Sequence, residues 1–233
     1  MGIRVLLVEG DDDQHVMWNL FECRCPSSEV YVLRPADAPD THKPGWVSRG
    51  QPDGGSENGG GDRKLLDSIP ARLDTSDLER LAVVIDANDK GPQARWDAIR
   101  QRLESEGYSG LPKSPGQAGT IVNFPSVGGR RPIRFGAWVM PDNQSTGMLE
   151  DFVAGLIHEG DEMLPLVNRF LDSIPQPRFI PQHRPKARIH TWLAVSERPG
   201  RPMGQAIKAD TQLDANHPMV QPFLDWVQVA LVD

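Results

Sequence analysis

The segment VLLVEGDDDQH, residues 5–15, sets a run of buried-type side chains directly against a burst of acid. Ile3 and Val5–Val8 form a β-branched and leucine run, the pattern of a strand covered on both faces of a parallel sheet. Glu9, Asp11, Asp12 and Asp13 then place four carboxylates in five positions. Such crowding is costly unless a cation, a helix start or open water absorbs the charge. The theme recurs. LERLAVVIDAND (78–89) runs through apolar Leu81–Ile85 into Asp86, and RPIRFGAWVMPDN (131–143) runs into Pro141-Asp142.

Helices separate these runs. Val16, Met17, Leu20 and Phe21 follow at helical spacing, with Asp11 or Asp12 able to cap the helix. EVYVL (29–33) and GTIVNF (119–124) read as further strands. RKLLDSIPARL (63–73) reads as a helix that Pro70 kinks or ends. PQARWDAIRQRLESEGY (92–108) is amphipathic with Pro92 in its first turn, and TGMLEDFVAGLIHEG (146–160) carries Leu149, Phe152, Val153 and Leu156 on one stripe. More helices are expected near 161–173, 186–196 and 217–231. The alternation predicts an α/β fold, an open and mainly parallel sheet flanked by helices. We place its core at 1–160, with a helical C-terminal extension over 161–233 packed on it. Residues 35–62, dense in Gly, Pro and Asp, are expected to form a flexible loop. Ligands of open α/β sheets sit outside the carboxyl ends of the strands. With the first strand beside the third, Glu9, Asp86 and Asp142 converge on one edge.

Composition narrows the function. The chain has 233 residues, 38% of them apolar and 24% charged, with a net charge of −7. No apolar run approaches the roughly 20 residues of a membrane helix, and the opening MGIRVLLVEG is not expected to act as a secretory signal. Cys23 and Cys25 alone cannot complete a structural zinc site and are expected to be reduced thiols of a cytoplasmic protein. Charge is unevenly spread: residues 1–89 carry 17 acids and 9 bases, whereas 178–208 carry seven Lys or Arg against Glu197 alone. An acidic half that gathers metal beside a basic segment that holds phosphates is a physically sensible pair. No H-E-x-x-H, G-x-S-x-G or G-x4-G-K-[ST] motif is present, so zinc-protease, α/β-hydrolase and P-loop readings lose support. Arg130, Arg131 and Arg134 in SVGGRRPIR either grip a phosphate or form a solvated basic tip. Trp96, Trp192 and Trp226 have apolar neighbours and read as core.

Hard divalent cations want oxygen ligands, and magnesium takes one or two carboxylates plus waters and phosphate oxygens. Glu9 and Asp86, with Asp13 one helical turn beyond Glu9, offer that set. Asp11 and Asp12 read as cap and solvent residues. LLVEG with acids close behind, followed by VVIDAND, resembles the Toprim domain shared by topoisomerases, primases and OLD-family nucleases. The strings GAWVMPDNQSTGMLEDF and KARIHTWLAVSERPG resemble the Toprim-like DUF3226 proteins, over most of the chain. The resemblance implies a Toprim-like, Rossmann-like sheet and Mg²⁺- or Mn²⁺-dependent cutting of nucleic-acid phosphodiesters. Carried over, Glu9 matches the Toprim glutamate, Asp86 the first acid of its Asp-x-Asp signature, and Asp13 the acid of OLD-like members. Asn88 stands where the signature has its second Asp, which weakens the charge that draws in a cation. Asp142 and Glu150 are implied as ligands of a second metal and Lys186 as the lysine brought to the transition state; Arg184 and Arg188, from the basic 178–208 segment, are expected to contact nucleic acid. An ABC-type or AAA ATPase partner and a role in defence or repair follow from the same resemblance; self-association into a homo-oligomer stays open.

Two other readings compete. A non-catalytic Toprim-like binding subunit is favoured by Asn88. A receiver-like signalling module is suggested by VLLVEGDDD, but receivers place their phosphorylatable Asp about 45 residues on, whereas Asp86 lies 77 beyond Glu9.

Overall fold

The computed structural model describes residues 2–25, 30–37, 61–126, 129, 131–208 and 213–233. Of the expected loop, residues 38–60 and Arg130 of the basic segment lie outside the described residues. Five strands form one sheet: β1 (Ile3–Leu7), β2 (Tyr31–Leu33), β3 (Leu78–Asp86), β4 (Thr120–Phe124) and β5 (Ile133–Met140). Their spatial order is β2-β1-β3-β5-β4. The first four in that order run parallel, and β4 pairs antiparallel with β5 at the edge. The protein is thus the expected α/β sheet flanked by helices. The antiparallel β4 follows from its short connection to β5, too short for a parallel crossover with its own helix.

Strand alternation explains the continuous apolar runs, because each face meets its own core. Val5, Leu7, Leu81, Val83, Ile85, Phe135 and Val139 pack against α2 (Asp62–Leu73) and α3 (Gly91–Ser105), where Leu65, Ile69, Trp96 and Ile99 are buried. Leu6, Ala82, Val84, Trp138 and Met140 face the other way. They pack with α1 (Asp11–Arg24), α4 (Leu149–Ala154), α6 (Arg184–Ala194), α7 (Met203–Lys208) and α8 (Gln221–Val227). Trp226, Phe223 and Trp138 form an aromatic knot there, with ring centroids 5.3–5.8 Å apart. α5 (Met163–Asp172) buries Val167 and Leu171 against the same core. Among the described residues no helix is long and apolar enough to cross a membrane.

Two local expectations are modified and one helix is added. Gly10, not Asp11 or Asp12, is the N-cap of α1; the aspartates occupy its first turn, where the helix dipole favours anions, and Asp11 pairs with Arg34. α2 passes Pro70 and ends at Leu73, less than one turn later, because a fixed proline φ suits a helix whose remaining hydrogen bonds are few. α7 was not anticipated.

At Gly136 on β5 the C-terminal segment presses against the sheet. A Cβ there would lie 3.0 Å from Ala230 Cβ, 3.1 Å from Trp226 Cζ2 and 3.3 Å from Ala82 Cβ. Gly136→Val is therefore expected to destabilise by about 1–3 kcal/mol, through overpacking. Urea titration checks this: an unchanged midpoint would mean the segment yields freely.

Candidate functional site

β1 and β3 end side by side, and the residues that follow meet at the carboxyl edge. Glu9, two residues past β1, turns its Oε1 to accept the Asp86 backbone N–H at 2.8 Å. Asp86, the last residue of β3, in turn accepts the Leu149 N–H at the start of α4 on Oδ1, also at 2.8 Å. That bond sets Glu150 in the first turn of α4, where it is 2% exposed. Asp13 stands in the first turn of α1. Lys186 on α6 completes the group, its Nζ 3.3 Å from Glu150 Oε1. The side chains that converge here come from the turn after β1 and from α1, β3, α4 and α6.

The electrostatics record the crowding. Burial, then Glu9 and Glu150, push the Asp13 carboxyl up to about 8. Asp86 is raised well above the ordinary range by burial, Glu9, Asp13 and Glu150, against the opposing bond from Leu149. Glu9 is raised by burial despite its bond to Asp86 and the nearby charges of Arg95 and Lys186. Burial works against the Lys186 ammonium, but Glu150, Asp86 and Asp13 outweigh it and raise its pKa. Charge repulsion of this kind is what a bound cation relieves.

The donor chemistry is all carboxylate oxygen, which suits Mg²⁺ or Mn²⁺ and not a soft metal. Among the described residues, no three His, Cys, Asp or Glu side chains already form a coordinating group. Magnesium keeps several waters and asks for one or two protein carboxylates, so the set fits it without a preformed cage.

The other expected site residues divide. Asn88 lies at the same edge with φ of 50°; its N–H donates to Gly147 O at 2.6 Å, tying the loop after β3 to the loop after β5. A short polar side chain tolerates that left-handed backbone. Asp142 is turned into its own loop, accepting from the Gln144 and Ser145 N–H groups and the Ser145 hydroxyl. Burial opposes ionisation there, but these bonds prevail and hold its carboxyl below the usual range. Next to it, Asn143 (φ 64°) folds back on Val139, its Oδ1 accepting the Val139 N–H at 2.7 Å. The PDN string is thus a turn that ends β5. Arg188 pairs with Asp151 at 3.1 Å beside Lys186, and Arg184 pairs with Asp172 at 2.7 Å. Arg131 and Arg134 precede or open β5 and so lie at the opposite, amino edge of the sheet.

Two groups at the site were missed. Arg95 on α3, 4% exposed, forms an ion pair with Asp62 at the start of α2, and both charges act on Glu9. Neither has a sequence signal. Arg95 sits in an ordinary amphipathic helix, and Asp62 was assigned to the loop that precedes α2.

A family model described as "Protein of unknown function (DUF3226)" matches residues 3–231. No curated protein and no solved structure is significantly similar to the chain. With nearly every residue from β1 to the C-terminal turn inside that match, the chain belongs to the DUF3226 family.

Proposed function

We propose that the protein is a Toprim-type, Mg²⁺- or Mn²⁺-dependent nuclease related to the OLD family. One observation carries the reading: the 2.8 Å bond from the Asp86 N–H to Glu9 Oε1 joins the ends of two neighbouring strands, 77 residues apart in sequence. A divalent ion held there would polarise a phosphodiester and lower the pKa of an attacking water. Glu9 keeps Oε2 to take that proton, because Oε1 is committed to Asp86. Asp13, Asp86 and Glu150 supply the negative charge that attracts the ion. Lys186, kept protonated by Glu150, faces the charge that develops on the phosphoryl oxygens. Arg188 and Arg184 flank it along α6 and guide the nucleic-acid backbone. An ATPase of the ABC or AAA type acts as partner in this reading, in cytoplasmic defence or repair.

The purified protein is expected to nick plasmid DNA or cleave RNA with Mg²⁺ or Mn²⁺ and to stop when the metal is chelated. Absence of cleavage of both polymers with either ion would sink the nuclease reading.

A second reading, a non-catalytic binding subunit, is favoured by Asn88 in place of the second signature aspartate. Calorimetric titration with Mn²⁺ separates the two: a folded protein that takes up no Mn²⁺ supports the subunit. The receiver alternative fits less well, since receivers have an all-parallel 2-1-3-4-5 sheet and β4 here is antiparallel.

A further inference from the structure

At the amino edge of the sheet, three arginines stand in a row. Arg4 on β1 is in register with Arg80 on β3, which is in register with Arg134 on β5. Adjacent strands lie about 4.8 Å apart, so three guanidinium groups share one face in sequence order across the sheet. Like charges in cross-strand register repel. Arg134 is satisfied: its Nη1 donates to Val229 O at 2.7 Å in the C-terminal turn, and its Nε to Asn123 Oδ1 at 3.0 Å. The other two are not. Among the described residues, Arg80 Nη1 and Arg4 Nε are buried without a hydrogen-bond acceptor, and Arg80 as a whole is 8% exposed.

Their shared counter-charge is Glu79, whose carboxylate lies 3.7 Å from Arg80 Nε and 4.0 Å from Arg4 Nε. Its side chain is 42% exposed, so it marks the solvent side of the row without closing it. Arginine does not escape burial by losing its proton at physiological pH. Burial, then Arg134 and Arg4, depress the Arg80 pKa, with Glu79 opposing. A buried cation with spare donors is costly until an anion meets it.

We propose that this edge is an oxyanion site in which a phosphoryl group bridges Arg4 and Arg80 from the Glu79 side, with Arg134 fixing the wall behind. Planar guanidinium forks match phosphate oxygens in pairs. The site is separate from the carboxylates: six residue steps along β3 lead from Arg80 to Asp86, about 20 Å. It does not depend on the nuclease reading.

Thermal unfolding of the full chain tests it, with inorganic phosphate titrated at an ionic strength held constant by NaCl. A second arm uses glycerol 1-phosphate as a phosphate monoester. The expected result is a melting temperature that rises by several degrees in one or both arms. A stronger response to the monoester identifies a phosphorylated small molecule as the source, and an equal or weaker one identifies free phosphate. Arg80→Met is expected to abolish the response. Glu79→Gln, which removes the competing carboxylate, is expected to lower the half-saturating phosphate concentration by about tenfold. The proposal is overturned if neither compound acts beyond the NaCl control, or if Arg80→Met responds as the parent does. Should Arg80→Met fail to fold, a Glu79→Gln protein with unchanged phosphate response overturns it.

Discussion

Glu9→Gln is expected to lower divalent-dependent phosphodiester cleavage by at least about a thousandfold, on the scale of losing both a proton acceptor and a metal-directed charge. The fold is expected to survive. Glutamine keeps an amide oxygen where Glu9 Oε1 accepts the Asp86 N–H, and it removes one of the charges that raise Asp13 and Asp86. The substituted protein should therefore melt at the same or a higher temperature while losing activity. A residue that mattered only for folding would lose both together. Plasmid nicking rates beside thermal melts make the measurement, and a Glu9→Gln protein that cuts as fast as the parent refutes the assignment.

The carboxylate cluster also sets a pH dependence opposite to that of most acids. Asp13, Asp86 and Glu9 have folded-state pKa values above their ordinary ones. The folded state therefore holds protons that the unfolded chain releases, and the stability these groups contribute is present below about pH 4 and lost as pH rises, for Asp13 toward about 8. Asp37, Asp62 and Asp142 are depressed instead, so their contribution is present above pH 4 and lost below it. The windows do not overlap. Without metal, the melting temperature is expected to fall by on the order of 5–10 °C between pH 5 and 8, and Mg²⁺ or Mn²⁺ to restore it. Asp13→Asn is expected to flatten the profile over that range. A metal-free protein whose stability climbs steadily from pH 5 to 8 would contradict the mutual repulsion at this edge.

Much of the architecture was legible because it is local. Continuous apolar runs at Val5–Val8 and Leu81–Ile85 signal strands covered on both sides, and both faces of the sheet are indeed covered. Trp96, Trp192 and Trp226 sit in apolar contexts and are buried. The acids that stop β1 and β3 were visible as acids at strand ends. Asp142 looked equivalent to them, yet its oxygens serve its own turn, since a backbone N–H two or three residues away is a nearer partner than any strand.

What the sequence by itself determined was the alternation of strand and helix, the two-sided burial of the central strands and the family to which the chain belongs. Periodicity and local chemistry carry the first two, and the resemblance of GAWVMPDNQSTGMLEDF and KARIHTWLAVSERPG carries the family. Only the tertiary structure decided that Arg95 and Asp62 stand beside Glu9, and that Arg4, Arg80 and Arg134 fall in one row. Each of these depends on strand order and register, which bring together residues whose separation along the chain holds no record of their meeting.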